Sequence, residues 1–280
     1  MTDNPLQILI WNTTKQNFVQ LSSFTKQDAI SAFTIDDNLH ITFSNSSIYM
    51  MNQKNEIYSS PVDKINESPD LMHEFQFNNQ WYVAAGVFDN ANASSRGAVK
   101  LYRFDESFGY ELIQTVSTVG LSCISSFNSG NNSFLVIAND RDWNGEYSTY
   151  EVAVDVYRRA GGIFEFFQRI QTYRAVHVAV TKFGSQTLLA ITHYEQSVSV
   201  YRYALDLGFL LLEEIHVSHC QSAVFAEKDG ETYLVVTTDS SVDSTKILRL
   251  KPVGKRKYFI FHNLLILLII AVDKLGNVIF

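Results

Sequence analysis

A pattern of four short apolar runs recurs along this chain about every 45 to 50 residues. Each period holds an alternating run that ends at an anchor residue, a short apolar run, an aliphatic-aromatic-Arg run and an aromatic-rich run. The clearest copy contains the runs 134–138, 156–158 and 164–168. The runs are rich in Val, Ile, Tyr, Phe and Thr and are bounded by Gly, Asn, Asp or Ser, which is typical of β-strands. The anchor residues are Phe33, Phe75, Phe127, Val180, Phe225 and Val272.

Four short strands at this period indicate one β-propeller blade per repeat. We therefore predict an all-β fold, a β-propeller of four-stranded blades with about six blades' worth of strand. A blade cannot bury both of its faces alone and must stack on its neighbours, and an aromatic fraction of 13% fits this need because large rings fill wedge-shaped gaps. The predicted units of a single domain, 1–280, are a half blade at 1–28, blades at 29–69, 70–118, 119–172, 173–217 and 218–264, and a half blade at 265–280.

The two half blades are complementary. Residues 6–11 and 18–21 match the third and fourth strands of a blade, whereas 269–276 matches 178–184, in the first strand of another repeat. The halves could close a six-bladed ring by sharing one blade, or they could be the ends of a larger ring.

Residues 258–272 are strongly apolar and raise the question of a membrane helix. The run is shorter than the roughly 20 residues that a span needs, contains His262 and Asn263, and falls where the repeat predicts two strands. We predict no membrane span, with a short or tilted span as the alternative.

The charge argues against nucleic-acid binding, and the positions of the cysteines argue against a disulfide. The net charge is -7, and the single basic cluster, 255–257, is expected in a turn, so nucleic-acid binding is not predicted. Cys123 and Cys220 lie at similar points of two different repeats, a whole blade apart, which argues against a disulfide between them. Residues 1–5 lack the basic start and apolar core of a secretory leader.

One order of segments resembles a known repeat. It runs from an apolar strand through Phe-Leu-Val-Ile-Ala-Asn, a long polar loop, Val-Tyr-Arg and Gly-x-Phe to Phe-Gln-x-Ile, and the best copy is 133–170, with further copies at 81–116 and 188–215. This order resembles the EAR repeat, also called the EPTP or epitempin repeat, of the leucine-rich glioma-inactivated proteins and of the thrombospondin-type laminin G domain and EAR repeat proteins.

The resemblance implies a secreted, seven-bladed propeller that binds extracellular receptors or adhesion proteins. This chain differs from that pattern in three ways. It holds about six blades' worth of strand where the family has seven blades. It also shows no leader and no leucine-rich or laminin G module in front. We therefore expect either a fragment of a secreted protein or an intracellular six-bladed relative.

A calcium-loop pattern of the form D-x-D-x-N-G-x5-E occurs once. Alternate carboxylates and an amide converge on a hard cation in such loops, and the Glu at the twelfth position can bind through both oxygens. Calcium is therefore a candidate cofactor, and the alternative is a polar hairpin loop. The candidate ligands are Asp140, Asp142, Asn144 and Glu151.

Two further sets of candidate residues are weaker. Five Asn-x-Ser/Thr sequons in or beside predicted loops are candidate glycosylation sites: Asn12, Asn45, Asn66, Asn92 and Asn131. His216, His219 and Cys220 could ligate zinc, but a fourth ligand is missing and ordinary loop histidines are the alternative.

The chain contains no G-x-S-x-G, H-E-x-x-H, Walker or G-x-G-x-x-G motif, so we do not predict an enzyme. The expected function is protein–protein interaction with an extracellular receptor or adhesion protein, through hairpin loops such as 89–97 and 140–150. An intracellular propeller scaffold is the first alternative. An enzyme with polar residues lining the propeller channel is the second.

Overall fold

The structure of the protein is a computed structural model. It describes residues 6–12, 17–24, 29–35, 38–43, 47–51, 63–64, 69–88, 95–105, 109–143, 147–194, 196–238, 245–253, 258–263, 271–272 and 278–279. The chain divides into two compact units, one of residues 1–88 and 98–116 and the other of residues 89–97 and 117–280.

The residues that the structure describes are almost entirely β-strand. Two strands near the start of the chain, β1 (Leu6–Asn12) and β2 (Asn17–Phe24), form an antiparallel pair. Sheet 1 consists of β3 (Ala29–Ile35), β4 (Asn38–Phe43), β5 (Ser47–Met51) and β6 (Asp63–Lys64). Sheet 2 consists of β7 (Leu71–Phe77), β8 (Gln80–Phe88), β9 (Arg96–Asp105) and β10 (Gly109–Val119).

Three more sheets follow in the same order. Sheet 3 consists of β11 (Leu121–Ser129), β12 (Asn132–Asn139), β15 (Glu151–Ala160) and β16 (Ile163–Tyr173), with a small hairpin of β13 (Asp142–Trp143) and β14 (Ser148–Thr149) between its second and third strands. Sheet 4 consists of β17 (Ala175–Phe183), β18 (Gln186–His193), β19 (Ser197–Tyr203) and β20 (Phe209–His216), with a 3-10 turn at Leu205–Leu207. Sheet 5 consists of β21 (Cys220–Lys228), β22 (Glu231–Thr238), β23 (Lys246–Val253) and β24 (Tyr258–Asn263). The last strands, β25 (Ala271–Val272) and β26 (Val278–Ile279), form a pair of their own.

Each of the five sheets has its strands in sequence order, with neighbours joined as hairpins. The all-β class and the four-stranded antiparallel sheets predicted from the sequence are confirmed. Sheets 1 to 5 span residues 29–64, 71–119, 121–173, 175–216 and 220–263. The division of the chain into blades stays a prediction.

The sheets also repeat in their irregularities. The pairing of the first two strands shifts register near its start in sheets 1, 3, 4 and 5, for example between Leu121 and Cys123 and between Ala175 and His177. The pairing of the last two strands shifts after Val156 in sheet 3 and after Val200 in sheet 4. The sequence repeat is therefore a repeat of backbone geometry, with bulges at fixed positions.

Burial falls from the second strand to the fourth. In β12 and β18 all but the first residue are buried, and a strand covered on both faces reads as a continuous apolar run. In β16 and β20 exposed residues predominate over buried ones. The sheets therefore bury their second strands and leave their fourth strands toward solvent.

Neighbouring sheets share apolar cores within each unit. Sheets 3 and 4 pack around Phe127 and Phe134, whose rings stack at 4.5 Å, with Phe209 edge-on to Phe127 at 5.4 Å. Sheets 4 and 5 share a second core. In the other unit, Ile35 and Ile48 of sheet 1 pack with Val83 of sheet 2 and its neighbours. The anchor residue Phe127 thus joins sheet 3 to sheet 4.

The apolar run 258–272 contains the two strands β24 and β25. Its residues 264–270 lie outside the described part of the chain. Among the described residues, no helix combines the length and the apolar character that crossing a membrane requires.

Candidate functional site

A cleft of about 400 Å³ opens between sheets 3 and 4. We call it the His193 cleft. Hydroxyl, amide and carboxylate groups dominate its walls, and two tyrosines and one leucine supply its apolar surface. Its lining residues are Glu151, Gln171, Thr172, Tyr173, His193, Gln196, Ser197, Ser199, Tyr201, Leu211 and Glu214.

His193, the last residue of β18, is held by two hydrogen bonds. Its Nδ1 lies 3.2 Å from the carbonyl oxygen of Tyr173, and its Nε2 lies 2.9 Å from Oγ of Ser199. Because a carbonyl oxygen can only accept, Nδ1 carries the proton and Nε2 accepts from the Ser199 hydroxyl. Burial lowers the pKa of His193, and the Tyr173 carbonyl and the charge of Glu214 oppose that shift only in part. The imidazole is therefore neutral at pH 7.

The remaining polar groups extend this network along β19 and β20. Ser197 donates from Oγ to Oε1 of Glu214 at 2.9 Å. Contact between a serine hydroxyl and a neutral imidazole is the arrangement that general-base activation uses. Ser199 is 5% exposed and His193 is 7% exposed, so both lie at the floor of the cleft.

A second cleft, of about 260 Å³, lies between sheet 3 and the end of β10. We call it the Asn139 cleft. Asn139 and Thr118 are each 7% exposed and form its floor, whereas acidic and polar residues form its rim. Its lining residues are Ser117, Thr118, Val119, Asn139, Asp142, Thr149, Glu151, Val152, Ala153, Asp155, Arg169 and Gln171.

The floor of the Asn139 cleft contains two oxygen atoms without a hydrogen bond. Asn139 donates from Nδ2 to the carbonyl oxygen of Ala153 at 2.7 Å, which fixes the orientation of its amide because that carbonyl can only accept. Among the residues that the structure describes, neither Oδ1 of Asn139 nor Oγ1 of Thr118 has a hydrogen-bond partner. Buried polar atoms are normally satisfied, so these two oxygens are unusual.

Arg169 and Asp155 in this cleft form a salt bridge with each other. Arg169 donates from Nε and from one terminal nitrogen to the two carboxylate oxygens of Asp155, at 2.7 and 3.0 Å. This bidentate geometry is the strongest that an arginine and a carboxylate form. It leaves Asp142 and Glu151, both exposed, as the other carboxylates of the rim.

The two clefts occupy matching positions of successive sheets. Val136 pairs with Val156 in sheet 3, and Ala190 pairs with Val200 in sheet 4, so residue 139 corresponds to residue 193. By the same registers, Asp155 corresponds to Ser199 and Arg169 corresponds to Glu214. The backbone is thus repeated, while the side chains that line the cleft change.

The described residues of the predicted contact loops, 95–97, 140–143 and 147–150, lie beside the Asn139 cleft. Ser95, in the loop 89–97, donates from its backbone N–H to the carbonyl oxygen of Trp143 at 2.8 Å and accepts from the Trp143 N–H at 2.6 Å. Trp143 belongs to the hairpin of β13 and β14, and Tyr147 in the same loop is 74% exposed. Since Asp142 and Thr149 line the cleft, the hairpin forms part of its rim.

Gly120 fixes the base of this loop. Its φ is +65°, and a Cβ there would lie 1.8 Å from the carbonyl oxygen of Arg141. Its N–H donates to the carbonyl oxygen of Ser95 at 2.6 Å, and its own carbonyl accepts from the Asp140 N–H at 2.7 Å. Only glycine allows both this backbone conformation and this close approach.

Two of the predicted calcium ligands, Asp140 and Asp142, lie against other side chains. Asp140 accepts at Oδ1 from Nε of Arg174 at 3.2 Å, whereas Asp142 lies 3.3 Å from the hydroxyl of Ser95. Glu151 is at the rim of both clefts, and Asn144 lies outside the described residues. Within the described residues there is no group of three or more His, Cys, Asp or Glu side chains that could hold a metal ion. Calcium binding stays a prediction.

The other predicted sites fall at strand ends. Asn131 is exposed in the turn between β11 and β12, and Asn12 ends β1. The sequons at Asn45, Asn66 and Asn92 lie outside the described residues.

The histidine-cysteine cluster spans the turn between β20 and β21. His216 and His219 are exposed, and Cys220 is buried with its Sγ 2.8 Å from the carbonyl oxygen of Val217. Both cysteines of the chain are reduced thiols, and burial raises the pKa of Cys123 to about 11. A buried thiol of this kind is unreactive.

Of the cleft residues, the sequence predicts only Asp142 and Glu151 as site residues, and it predicts them as calcium ligands. It does not predict Asn139, His193 or Ser199. One usable signal exists, because a polar residue ends the apolar run of the second strand at Asn139 and at His193. A polar side chain at a buried strand end needs a partner, which marks it as a site residue.

Comparison with known proteins adds information about the fold. No protein-family model and no curated protein sequence matches this chain. A structural match is the crystal structure of a mutant of AofleA from Arthrobotrys oligospora in which three arginines are replaced by alanine. It has a TM-score of 0.54 and 10% sequence identity over 94% of this chain and 80% of that chain. At this identity the likeness concerns the fold alone.

Proposed function

We propose that this chain is a non-enzymatic binding module of the EAR-repeat kind, built as a β-propeller, that recognises a partner protein outside the cell. The observation that carries the proposal is the repetition of one cleft in successive sheets with different side chains at matching positions. A fixed backbone with a variable lining is how repeat scaffolds present binding surfaces.

The propeller arrangement is supported by the repeat and by the packing of sheets on one another. Five sheets have the same strand order, four of them share a register shift between their first two strands, and neighbouring sheets share cores within each unit. The match to AofleA, over 94% of the chain, supports one fold for the whole chain.

Recognition of a protein is supported by apolar side chains at the surface. Phe166 on β16 is 58% exposed, and Leu211 at the equivalent position of β20 is 56% exposed. Leu211 also lines the His193 cleft. Exposed apolar residues beside polar rims are typical of protein interaction sites. An extracellular location is supported by the family resemblance and by the exposed sequon at Asn131.

The test is a binding screen. The chain, produced with a secretory leader and made pentameric to raise avidity, is applied to an array of purified receptor and adhesion ectodomains. We expect saturable binding that the double change Phe166→Asp and Leu211→Asp reduces at least tenfold, because charge at a desolvated contact is costly. Glu165→Gln, also exposed on β16, serves as the matched control and should leave binding unchanged. Failure to bind any ectodomain, or equal binding by all variants, would refute this function.

A second candidate function has one specific observation in its favour. The contact of 2.9 Å between Ser199 and the neutral His193 resembles a nucleophile with its base. The chain is assayed against ester and glycoside chromogenic substrates, together with its Ser199→Ala variant. Turnover that disappears in this variant would establish an enzyme in place of a binding module.

A further inference from the structure

We propose that the Asn139 cleft receives a basic side chain of the partner protein, with its guanidinium or ammonium group against the cleft floor. The inference rests on the proposed function and adds the chemistry of the contact. Its starting point is that the cleft combines unsatisfied oxygens at its floor with an excess of carboxylates at its rim.

The floor offers two oxygens whose capacity to accept hydrogen bonds is unused among the described residues. Oδ1 of Asn139 can only accept, because Nδ2 of the same amide is committed to the Ala153 carbonyl. Oγ1 of Thr118 can accept as well, and both oxygens are without a partner among the described residues. A ligand that satisfies this floor must therefore bring N–H or O–H groups.

The rim selects a cation among such ligands. Asp142, Glu151 and Asp155 provide three carboxylates, and Arg169 provides one guanidinium, so the formal charge of the lining is -2. Arg169 is engaged by Asp155 in a bidentate pair, which leaves Asp142 and Glu151 to face an incoming charge. Opposite charge at a rim guides a partner and orients it.

The chemistry of these groups favours an organic cation over a metal ion. Calcium requires six to eight oxygens at about 2.3–2.6 Å. No group of three or more acidic, histidine or cysteine side chains within the described part of the chain could hold a metal ion. A guanidinium carries five N–H donors in a plane, and an ammonium carries three, so either can donate to several acceptors at once. A cleft of about 260 Å³ has room for such a group.

The His193 cleft lacks the feature that would bind a basic side chain at the Asn139 cleft. There the residue that corresponds to Asn139 is hydrogen-bonded through both ring nitrogens, to the Tyr173 carbonyl and to Ser199. Glu214 in that cleft accepts from Ser197. The polar groups of its floor are therefore largely satisfied by the protein itself.

The test uses N-acetyl-L-arginine methylamide as the probe and the nearly isosteric, uncharged citrulline derivative as the control ligand. Binding to the full chain is followed by NMR through the side-chain amide signals of selectively ¹⁵N-labelled asparagine. We expect saturable shifts of the Asn139 signal with the arginine probe and none with the citrulline probe. The arginine affinity should fall with added salt, because rim charges are screened.

Variants of the two rim carboxylates test whether their charge contributes to binding of the arginine probe. Asp142→Asn together with Glu151→Gln should weaken the arginine probe about threefold to tenfold, as expected for removing two exposed charges. Both residues are exposed, so the fold is not at risk. Glu165→Gln removes an exposed carboxylate outside the cleft and should leave the affinity unchanged.

Four results would overturn the proposal: equal binding of the citrulline probe, no shift with arginine, displacement of arginine by calcium chloride at the Asn139 signal, or tighter binding of free L-arginine than of the blocked probe. The third result would assign the cleft to a metal ion, and the fourth would assign it to a small molecule. If ectodomain binding persists while the arginine probe fails, the proposed function stands and this inference does not.

Discussion

Gln168 should contribute strongly to stability, although it is a polar residue on an outer strand. It lies on β16 of sheet 3, and its side-chain amide bonds the backbone of Phe209 in sheet 4. Its Oε1 accepts from the Phe209 N–H at 2.7 Å, and its Nε2 donates to the Phe209 carbonyl at 3.1 Å. Phe209 is buried in the core that the two sheets share. The side chain therefore replaces a missing strand partner.

The change Gln168→Met keeps the length of the side chain and removes both hydrogen bonds. Each backbone group left unsatisfied at a buried residue costs about 1 to 3 kcal/mol. We expect the free energy of unfolding to fall by about 2 to 4 kcal/mol, because water can reach part of this half-buried position. Urea denaturation followed by circular dichroism measures the change.

The matched control is Gln171→Met on the same strand. Gln171 is exposed, so its free energy of unfolding should change by less than about 0.5 kcal/mol. Equal stability of the two variants would refute the claim that Gln168 joins the sheets through the Phe209 backbone.

Three other predictions follow from single residues. Gly120→Ala should destabilise the protein by several kcal/mol or displace the loop at Arg141, since a Cβ would lie 1.8 Å from that carbonyl oxygen; thermal unfolding and the Trp143 fluorescence report the two outcomes. The pKa of His193 is lowered in the folded protein, so the unfolded chain takes up its proton first, and stability should be lost as the pH falls below 6.5. His193→Asn should make that pH dependence shallower by at most about 1.4 kcal/mol per pH unit, measured by urea denaturation between pH 7 and 5. Neither cysteine should react with a thiol reagent in the native protein within minutes, because Cys220 is buried and burial raises the pKa of Cys123; fast labelling would show that these sites open.

The strands could be predicted from the sequence because each one carries its own signal. The run 134–138 is apolar at every position, and β12 is buried from Ser133 to Asn139. Each sequence repeat contains four such runs, so the repeat also predicts that the strands form four-stranded sheets. Local composition and periodicity are thus sufficient for sheet content.

The clefts could not be predicted in the same way. Asn139 and Thr118 are 21 residues apart, and His193 and Tyr173 are 20 residues apart, so each floor forms only when two strands of different hairpins meet. The side chains of the calcium pattern also take partners that the sequence does not reveal, and calcium binding stays a prediction. Asp140 and Asp142 are close in sequence, yet they bond to Arg174 and lie beside Ser95, respectively. Spacing along a chain does not determine which side chains converge.

The central claim of the proposed function is that the chain binds a partner protein through the surface that holds the Asn139 and His193 clefts. Hydrogen exchange followed by mass spectrometry locates that surface when the chain alone is compared with the chain bound to an ectodomain from the array. The account predicts slower exchange of the backbone amides of residues 139–143 and 196–201 in the complex. Slower exchange confined to strands that line neither cleft would contradict it.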